Sequence, residues 1–275
     1  MGIDNIYLDN ILQNMTGYYQ SVYLSDYYKN KNMPLRAVVS IHDKKSIVND
    51  LTFWKGNDID KTIEMIKNTL SGIIVLNFNM ETYLDNELLS NINKTIIFSE
   101  NPRLFIVKLL HLYKDGFKPI FNDEHVIIGE NVKIGKYTAI GQTGFGFEPD
   151  LDGSMLRFPH RGRVIIGKNV EIGSNTCIDR GTFDDTVIGD GVKIDNLVHV
   201  AHNVHIGDNT LVIAGTVIGG GVIIGKSCWI GINASIRENI RIGDNVMVGM
   251  GAVVTKDIPN NTIVIGNPAK PYKQK

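Results

Sequence analysis

The sequence predicts a mainly β protein: a parallel β-helix of hexapeptide repeats preceded by a small α/β domain. The first observation is a ladder. From Ile188 to Val254 an aliphatic residue stands at every sixth position: Ile188, Ile194, Val200, Ile206, Val212, Ile218, Ile224, Ile230, Ile236, Ile242, Val248 and Val254. The second is the glycine that often follows it, as in Ile206-Gly207, Ile224-Gly225 and Ile242-Gly243. Neither an α-helix nor an alternating strand has a period of six, and hexapeptide periodicity marks a parallel β-helix. The third is that residues 1 to about 120 lack this period and read as α/β text instead.

The opening is rich in tyrosine (Tyr7, Tyr18, Tyr19, Tyr23, Tyr27, Tyr28) and assigns to no element. Asp60 to Leu70 places Ile63, Ile66 and Leu70 on one helical face. Gly72 to Phe78 and Lys94 to Phe98 read as buried strands. Asn101 is a helix N-cap and Pro102 the first helical residue, with Phe105, Leu109 and Leu112 facing inward. The boundary falls between 116 and 123, giving a small nucleotide-binding-like domain over 1–120, the β-helix over 121–258 and a tail over 259–275. The ladder starts early, at Ile128, Ile134 and Ile140 and again at Ile166, Ile172 and Ile178. Its two phase breaks predict loops pushed out of the coil.

With 275 residues, 43% hydrophobic and 21% charged, the chain has ordinary globular composition. A net charge of −1 gives no pull toward nucleic acid or an anionic membrane surface. Two cysteines, Cys177 and Cys228, make no disulfide framework and fit a reducing cytoplasm. The first ten residues do not read as a signal peptide, and the most apolar run, Leu211 to Gly225, is too short and glycine-rich to span a membrane.

The array resembles the left-handed β-helix of hexapeptide-repeat acyltransferases, in which three hexapeptides close one triangular coil and the aliphatic residue points inward. The resemblance implies about six coils and a homotrimer with active sites between subunits. Within that superfamily, Gly144 to Phe147 (GFGF), Gly162 to Ile172, Ile178 to Gly181 (IDRG), Asp184 to Gly189 (DDTVIG) and Ala201 to Gly207 (AHNVHIG) resemble the N-acyltransferases of lipid A biosynthesis. Those enzymes acylate the amine of a UDP-linked 3-O-acylglucosamine. Two segments depart from that pattern. Asn239 stands where the lipid A enzymes have a second functional histidine. Gly251 to Lys273 resembles the ending of CoA-dependent sugar acetyltransferases. Together they predict a cytoplasmic, homotrimeric N-acyltransferase. It moves a short acyl group, acetyl first, from acyl-CoA to the amine of a dTDP- or UDP-linked amino sugar in surface glycan biosynthesis. The alternative is lipid A synthesis itself, with acyl carrier protein as donor.

By that resemblance His202 is the base that takes the amine proton, a task worth roughly 10²–10⁴-fold. The oxyanion donor is a backbone N–H at Gly215 or Gly220, with Asn239 either a further donor or a corner amide. Asp179, Asp184, Asp185 and Asp195 are candidates to orient the histidine or hold the sugar, with Asp195 preferred; each is equally a turn residue. The loop from Gln142 to Arg163 supplies Phe147 and His160 to the substrate, or packs by its aromatics on a neighbour; His160 is the base if His202 is not. Phe53 and Trp54 are the candidate stacking platform for the nucleotide base, with Ile59 in place of the tyrosine that flanks the uracil in the lipid A enzymes. Lys256, Pro268, Lys270 and Lys273 border the expected CoA phosphate. His199 and His205, six residues apart, belong to neighbouring faces of a coil, which argues against a shared metal such as the zinc of γ-class carbonic anhydrases.

Overall fold

The computed structural model describes residues 6–25, 34–35, 37–39, 50–84, 86–113 and 125–274. The expected boundary at 116–123 and the tyrosines at 27 and 28 lie outside the described residues. The chain forms two compact units, one of residues 1–120 with 146–159, the other of 121–145 with 160–275.

In the first unit, four parallel strands, Ala37–Val38, Asp50–Trp54, Ile73–Asn77 and Thr95–Ser99, form one sheet, and Ser21–Tyr23 joins its edge antiparallel. The first helix is α1, Leu8–Asn14. Helix α2, Ile59–Asn68, starts where the Asp58 carboxylate accepts from Lys61 N–H at 3.0 Å, satisfying one orphan donor of the first turn. It buries Thr62, Met65 and Ile66. Leu70 lies past the helix end and is exposed, so it does not join that face. Helix α3 spans Asn86–Ile92 and α4 spans Pro102–Leu112. Asn101 caps α4, its Oδ1 accepting from Leu104 N–H at 3.0 Å.

Helix α4 is apolar nearly all round, burying Leu104, Phe105, Ile106, Val107, Leu109 and Leu110, which requires cover on more than one side. The sheet covers one side. An antiparallel hairpin, Phe147–Pro149 with Met155–Arg157, covers another. Polar ties hold that hairpin to α4: Asn101 Nδ2 donates to Glu148 Oε1 (2.8 Å), Arg103 pairs with Glu148 (3.2 Å) and Lys108 with Asp150 (2.6 Å). Leu112, expected to face inward, is exposed at the last turn.

The second unit is a left-handed parallel β-helix with three flat faces. The first face stacks strands from Val126–Ile128 to Arg241–Ile242, the second from Lys133–Ile134 to Thr262–Ile265, and the third from Ala139–Thr143 to Val253–Val254. Ile128 and Ile134 of the first coil are exposed, whereas ladder residues from Ile166 onward point inward and stack in register, as Ile188, Ile206, Ile224 and Ile242 do on the first face. They form one continuous buried core. Corners turn through left-handed backbone, mostly at asparagine or glycine. Gly207 is needed for close approach: a Cβ there would lie 2.6 Å from the Gly225 carbonyl carbon of the next coil.

Both phase breaks fall at the corner joining the third face to the first. There the chain inserts residues 142–163, whose middle belongs to the first unit, and four extra residues around 181–185. The segment expected as a loop bordering a cofactor is two strands instead. Thr262–Ile265 continues the second face, and Lys270–Gln274 pairs with it antiparallel. Between them, Gly266 C=O accepts from Val253 N–H (3.0 Å) and Ala269 N–H donates to Val253 C=O (2.8 Å).

Candidate active site

The third-to-first corner gathers the histidine chemistry. Val200 and Val204 are buried in the core, which leaves Ala201, His202 and Asn203 to make the turn. Asn203 sits at φ 60°, a conformation asparagine tolerates better than most residues. Its amide is fixed on three sides. Oδ1 accepts from Thr182 N–H (3.1 Å) and Thr182 Oγ1 (2.9 Å), and Nδ2 donates to the Asp184 carbonyl (3.1 Å). A backbone N–H only donates and a carbonyl only accepts, so these contacts set which end of the amide is oxygen. That oxygen is 2.9 Å from His202 Nδ1, which must therefore be the donor. The proton of neutral His202 is held on Nδ1, and Nε2 presents a lone pair.

The imidazole lies against Gly220 one coil on, where a Cβ would come within 2.7 Å of Cε1 and 2.8 Å of Nε2. On its other side the His160 ring stands edge-on with centroids 5.1 Å apart. His160 is buried and His202 half-buried. Gly144 makes room for both: a Cβ there would be 2.8 Å from His160 Nε2 and 3.3 Å from His202 Cβ. The Gly220 N–H makes no hydrogen bond among the described residues, so it is available beside Nε2. Gly215, the other oxyanion candidate, is at the second-to-third corner in left-handed backbone against Asn233.

The carboxylates separate clearly. Asp179 is buried, and burial pushes its pKa up, while His199 and His202 pull it down. Its Oδ2 is 3.9 Å from His199 Nε2. Asp185 is committed to Arg163, accepting from its N–H (2.9 Å) and pairing side-on with its guanidinium (2.8 and 3.2 Å). Asp184 contributes its backbone carbonyl. The preferred carboxylate, Asp195, is not beside His202 within the chain. It occupies the second-to-third corner, where it accepts from Asn196 N–H (2.7 Å), Asn196 Nδ2 (2.9 Å) and Ala214 N–H (3.2 Å). A groove of about 570 Å³ along the second face passes that corner. The partner the sequence reading missed is Asn203; its place directly after the histidine in AHNV was the available signal.

His202, Gly220, Glu238 and Lys256 follow at intervals of eighteen residues, one full coil, along the same corner. Asn239 belongs to the adjoining column with Asn203 and Gly221; it is exposed, at φ 59°, its Oδ1 toward Gly221. Lys256 is exposed about three coil steps, or roughly 14 Å, from His202. Pro268 and Lys270 are exposed beside the second and third faces, and the Lys273 side chain lies outside the described residues. The Asn-Pro-Ala-Lys loop closes the last coil. His199 lies on the third face and His205 on the first.

The aromatic candidates in the first unit also part company. Phe53 and Trp54 are neighbours on one strand and so face opposite sides of the sheet. Trp54 is pinned inward, its Nε1 donating to Thr62 Oγ1 (3.1 Å) and its ring against the core around Ile66 and Leu76. It is half-buried. Phe53 packs near Phe158 (6.5 Å between centroids), which Arg103 covers at 5.1 Å. Phe147 is covered by Arg157 at 4.5 Å.

Residues 185–220 and 221–256 match the bacterial transferase hexapeptide family (six repeats), and residues 163–200 match the hexapeptide repeat of succinyl-transferase. Over 74 residues the chain is 54% identical to a UDP-3-O-acylglucosamine N-acyltransferase of Sinorhizobium medicae, covering 27% of this chain and 21% of the relative. Over 76 residues it is 49% identical to UDP-3-O-acylglucosamine N-acyltransferase 2 of Legionella pneumophila, covering 28% and 22%. The chain thus spans about a fifth of the length of the curated relatives it matches. A crystal structure of a UDP-N-acetylglucosamine acyltransferase superposes with a TM-score of 0.49 at 18% identity, covering 80% of this chain and 61% of that one. These relatives overturn the expectation of a short acyl group moved from CoA to a simple nucleotide amino sugar: they bear the lipid A name.

Proposed function

We propose that this chain is an N-acyltransferase acting on a UDP-linked 3-O-acylglucosamine, with an acyl thioester of acyl carrier protein as donor. The observation that carries the reading is His202, half-exposed, its Nδ1–H held by Asn203 and its Nε2 lone pair beside Gly220. The names of the relatives support the choice of acceptor.

The neutral amine attacks the thioester carbonyl. As the C–N bond forms, His202 Nε2 takes a proton from nitrogen, and the Asn203 amide oxygen steadies the imidazolium through Nδ1–H. The Gly220 N–H faces the carbonyl oxygen as it becomes an oxyanion; one such donor is worth about 3 kcal/mol. The C–S bond then breaks, the thiolate leaves and receives the proton from Nε2, and amide and free thiol result. No helix among the described residues is long and apolar enough to cross a membrane.

The test is thiol release with 3-hydroxyacyl carrier protein and acyl-CoA, each against UDP-3-O-acylglucosamine and simple UDP- and dTDP-amino sugars. Turnover with the acylated UDP-glucosamine, abolished in His202→Ala, supports the reading. Turnover confined to the simple amino sugars refutes it.

A further inference from the structure

We propose that Arg180 is a phosphate-binding residue, and that the phosphate it takes is the one attached to the reacting sugar of the acceptor. Arg180 ends the strand Cys177–Arg180 on the third face, at the corner that carries His202. Its neighbours on both sides touch the histidine's surroundings. Asp179 before it responds to the charge of His202. Gly181 after it packs so closely that a Cβ would lie 3.0 Å from Asn203 Nδ2. Its strand partner, Thr143, adjoins Gly144, which lies against both His160 and His202. Arg180 and His202 are thus on adjacent coils of one corner, about 4.8 Å apart along the axis.

Arg163, at the same corner, is fully paired: its guanidinium meets Asp185 side-on. Arg180 is different. Nη2 donates to Thr143 Oγ1 at a long 3.3 Å, and Nε is buried with no hydrogen-bond partner among the described residues. No carboxylate among them pairs with it. A guanidinium keeps its charge in proteins and offers a planar fork of five donors shaped for carboxylate or phosphate. Leaving such a donor buried and unpaired is costly. The fork is set for an anion that arrives with substrate.

The chemistry of the acceptor says which anion. In a 2-amino sugar 1-diphosphate, the amine nitrogen and the first phosphorus are four covalent bonds apart. That reach is of the same order as one coil step, about 4.8 Å. A base that takes the amine proton and a cation that holds the phosphate must therefore stand close together on the protein, and His202 and Arg180 are on adjacent coils of one corner. The phosphate of a carrier-bound thioester is at the far end of a long arm from its carbonyl. Assigning the phosphate to the acceptor rests on the N-acyltransferase reading; the existence of the phosphate site does not.

The experiment has two arms on the full chain. Calorimetric titration with inorganic pyrophosphate and with UDP, at fixed ionic strength, compares wild type, Arg180→Lys and Arg180→Gln. Arg180→Gln is expected to weaken both by at least about tenfold, or 1.4 kcal/mol. Arg180→Lys restores part of it, as a point charge replaces a fork. Equal pyrophosphate affinity in all three overturns the site. Steady-state kinetics then separates the sources. Acceptor KM rises at least about tenfold in Arg180→Gln, kcat falls by less, and donor KM stays put. A rise in donor KM alone overturns the acceptor assignment. Arg180-dependent pyrophosphate binding without any acyl transfer upholds the site and removes the N-acyltransferase reading instead. If Arg180→Gln does not fold, Arg180→Lys carries both arms with a smaller expected loss.

Discussion

Gly220→Ala is the most informative single change at the corner. The added methyl would lie 2.7 Å from His202 Cε1 and 2.8 Å from Nε2. Favourable carbon contacts begin at about 3.5 Å, so the ring must withdraw by roughly 0.8 Å. The obstacle is the tip of a side chain, which swings away, so the fold survives and the melting temperature drops by no more than about 4 °C. The chemistry is less forgiving, because Nδ1 is tied to Asn203 at 2.9 Å and a shift of the ring strains or breaks that bond. Misplacing a reacting group by about 1 Å costs on the order of 10²-fold. We therefore expect kcat of thiol release to fall about a hundredfold with acceptor KM within about threefold, since the loss is in positioning. The double variant His202→Ala/Gly220→Ala separates this from a general disturbance. If glycine matters only through the histidine, the second change adds nothing to His202→Ala. A folded Gly220→Ala enzyme with wild-type turnover, or losses that multiply in the double variant, refutes the reasoning. Gly207→Ala provides contrast: its methyl would meet backbone at 2.6 Å, which cannot swing aside, so it lowers thermal stability instead.

Asn203→Ala removes the acceptor for Nδ1–H; kcat is expected to fall roughly tenfold or more and its pH profile to shift, because nothing then selects the tautomer. Asn239→Gly tests the departure from a second histidine. If Asn239 only turns the corner at φ 59°, the glycine variant keeps its rate and Asn239→Ala lowers stability by about 0.5–1 kcal/mol, read as a lower melting temperature; a large rate loss in the glycine variant assigns it chemistry. Asp179 has a folded pKa raised by burial, so its stabilising contribution is full below the ordinary aspartate value and is lost as pH rises through the raised value. Asp179→Asn should therefore raise the melting temperature at pH 7, and the gain should vanish at acid pH; a gain independent of pH refutes the burial argument. Cys228 Sγ faces Gly243 C=O at 3.1 Å, as Thr210 Oγ1 faces Gly225 C=O at 2.9 Å one coil earlier. Cys228→Thr should melt within a few degrees of wild type, about 1 kcal/mol or less.

What the sequence disclosed depended on how far each property is local. The coil needs only an aliphatic residue every sixth place, and each ladder position from Ile188 to Val254 is buried in the core. The Asn101 cap is likewise a contact between near neighbours. Leu70 failed because the helical period was carried past the helix end, and Leu112 because the last turn of its helix is exposed. Asp195 was chosen for being seven residues before His202, but in an eighteen-residue coil seven residues lead to a different corner. Phe53 and Trp54 were paired by adjacency, which in a strand sends side chains to opposite faces. The hairpin over 147–157 depends on cover that α4 requires and its own sequence does not announce. Asn203 stood next to its histidine in AHNV, but its anchors Thr182 and Asp184, and the neighbourhood of Arg180, become visible only when residues some twenty positions apart are stacked.

The last strands have a consequence for how the protein behaves in concentrated solution. A β-helix ends in rows of unsatisfied backbone groups, one row per face, each ready to accept another chain. Here Lys270–Gln274 covers the end of the second face with a strand of opposite direction, and Gly266 and Ala269 occupy the donor and acceptor of Val253 on the third. An antiparallel cover cannot be extended by another parallel coil, so growth stops there. Removing residues 262–275 should leave His202 and its partners in place yet turn a discrete particle into one that stacks end to end. Light scattering would report it as mass that rises with concentration and time.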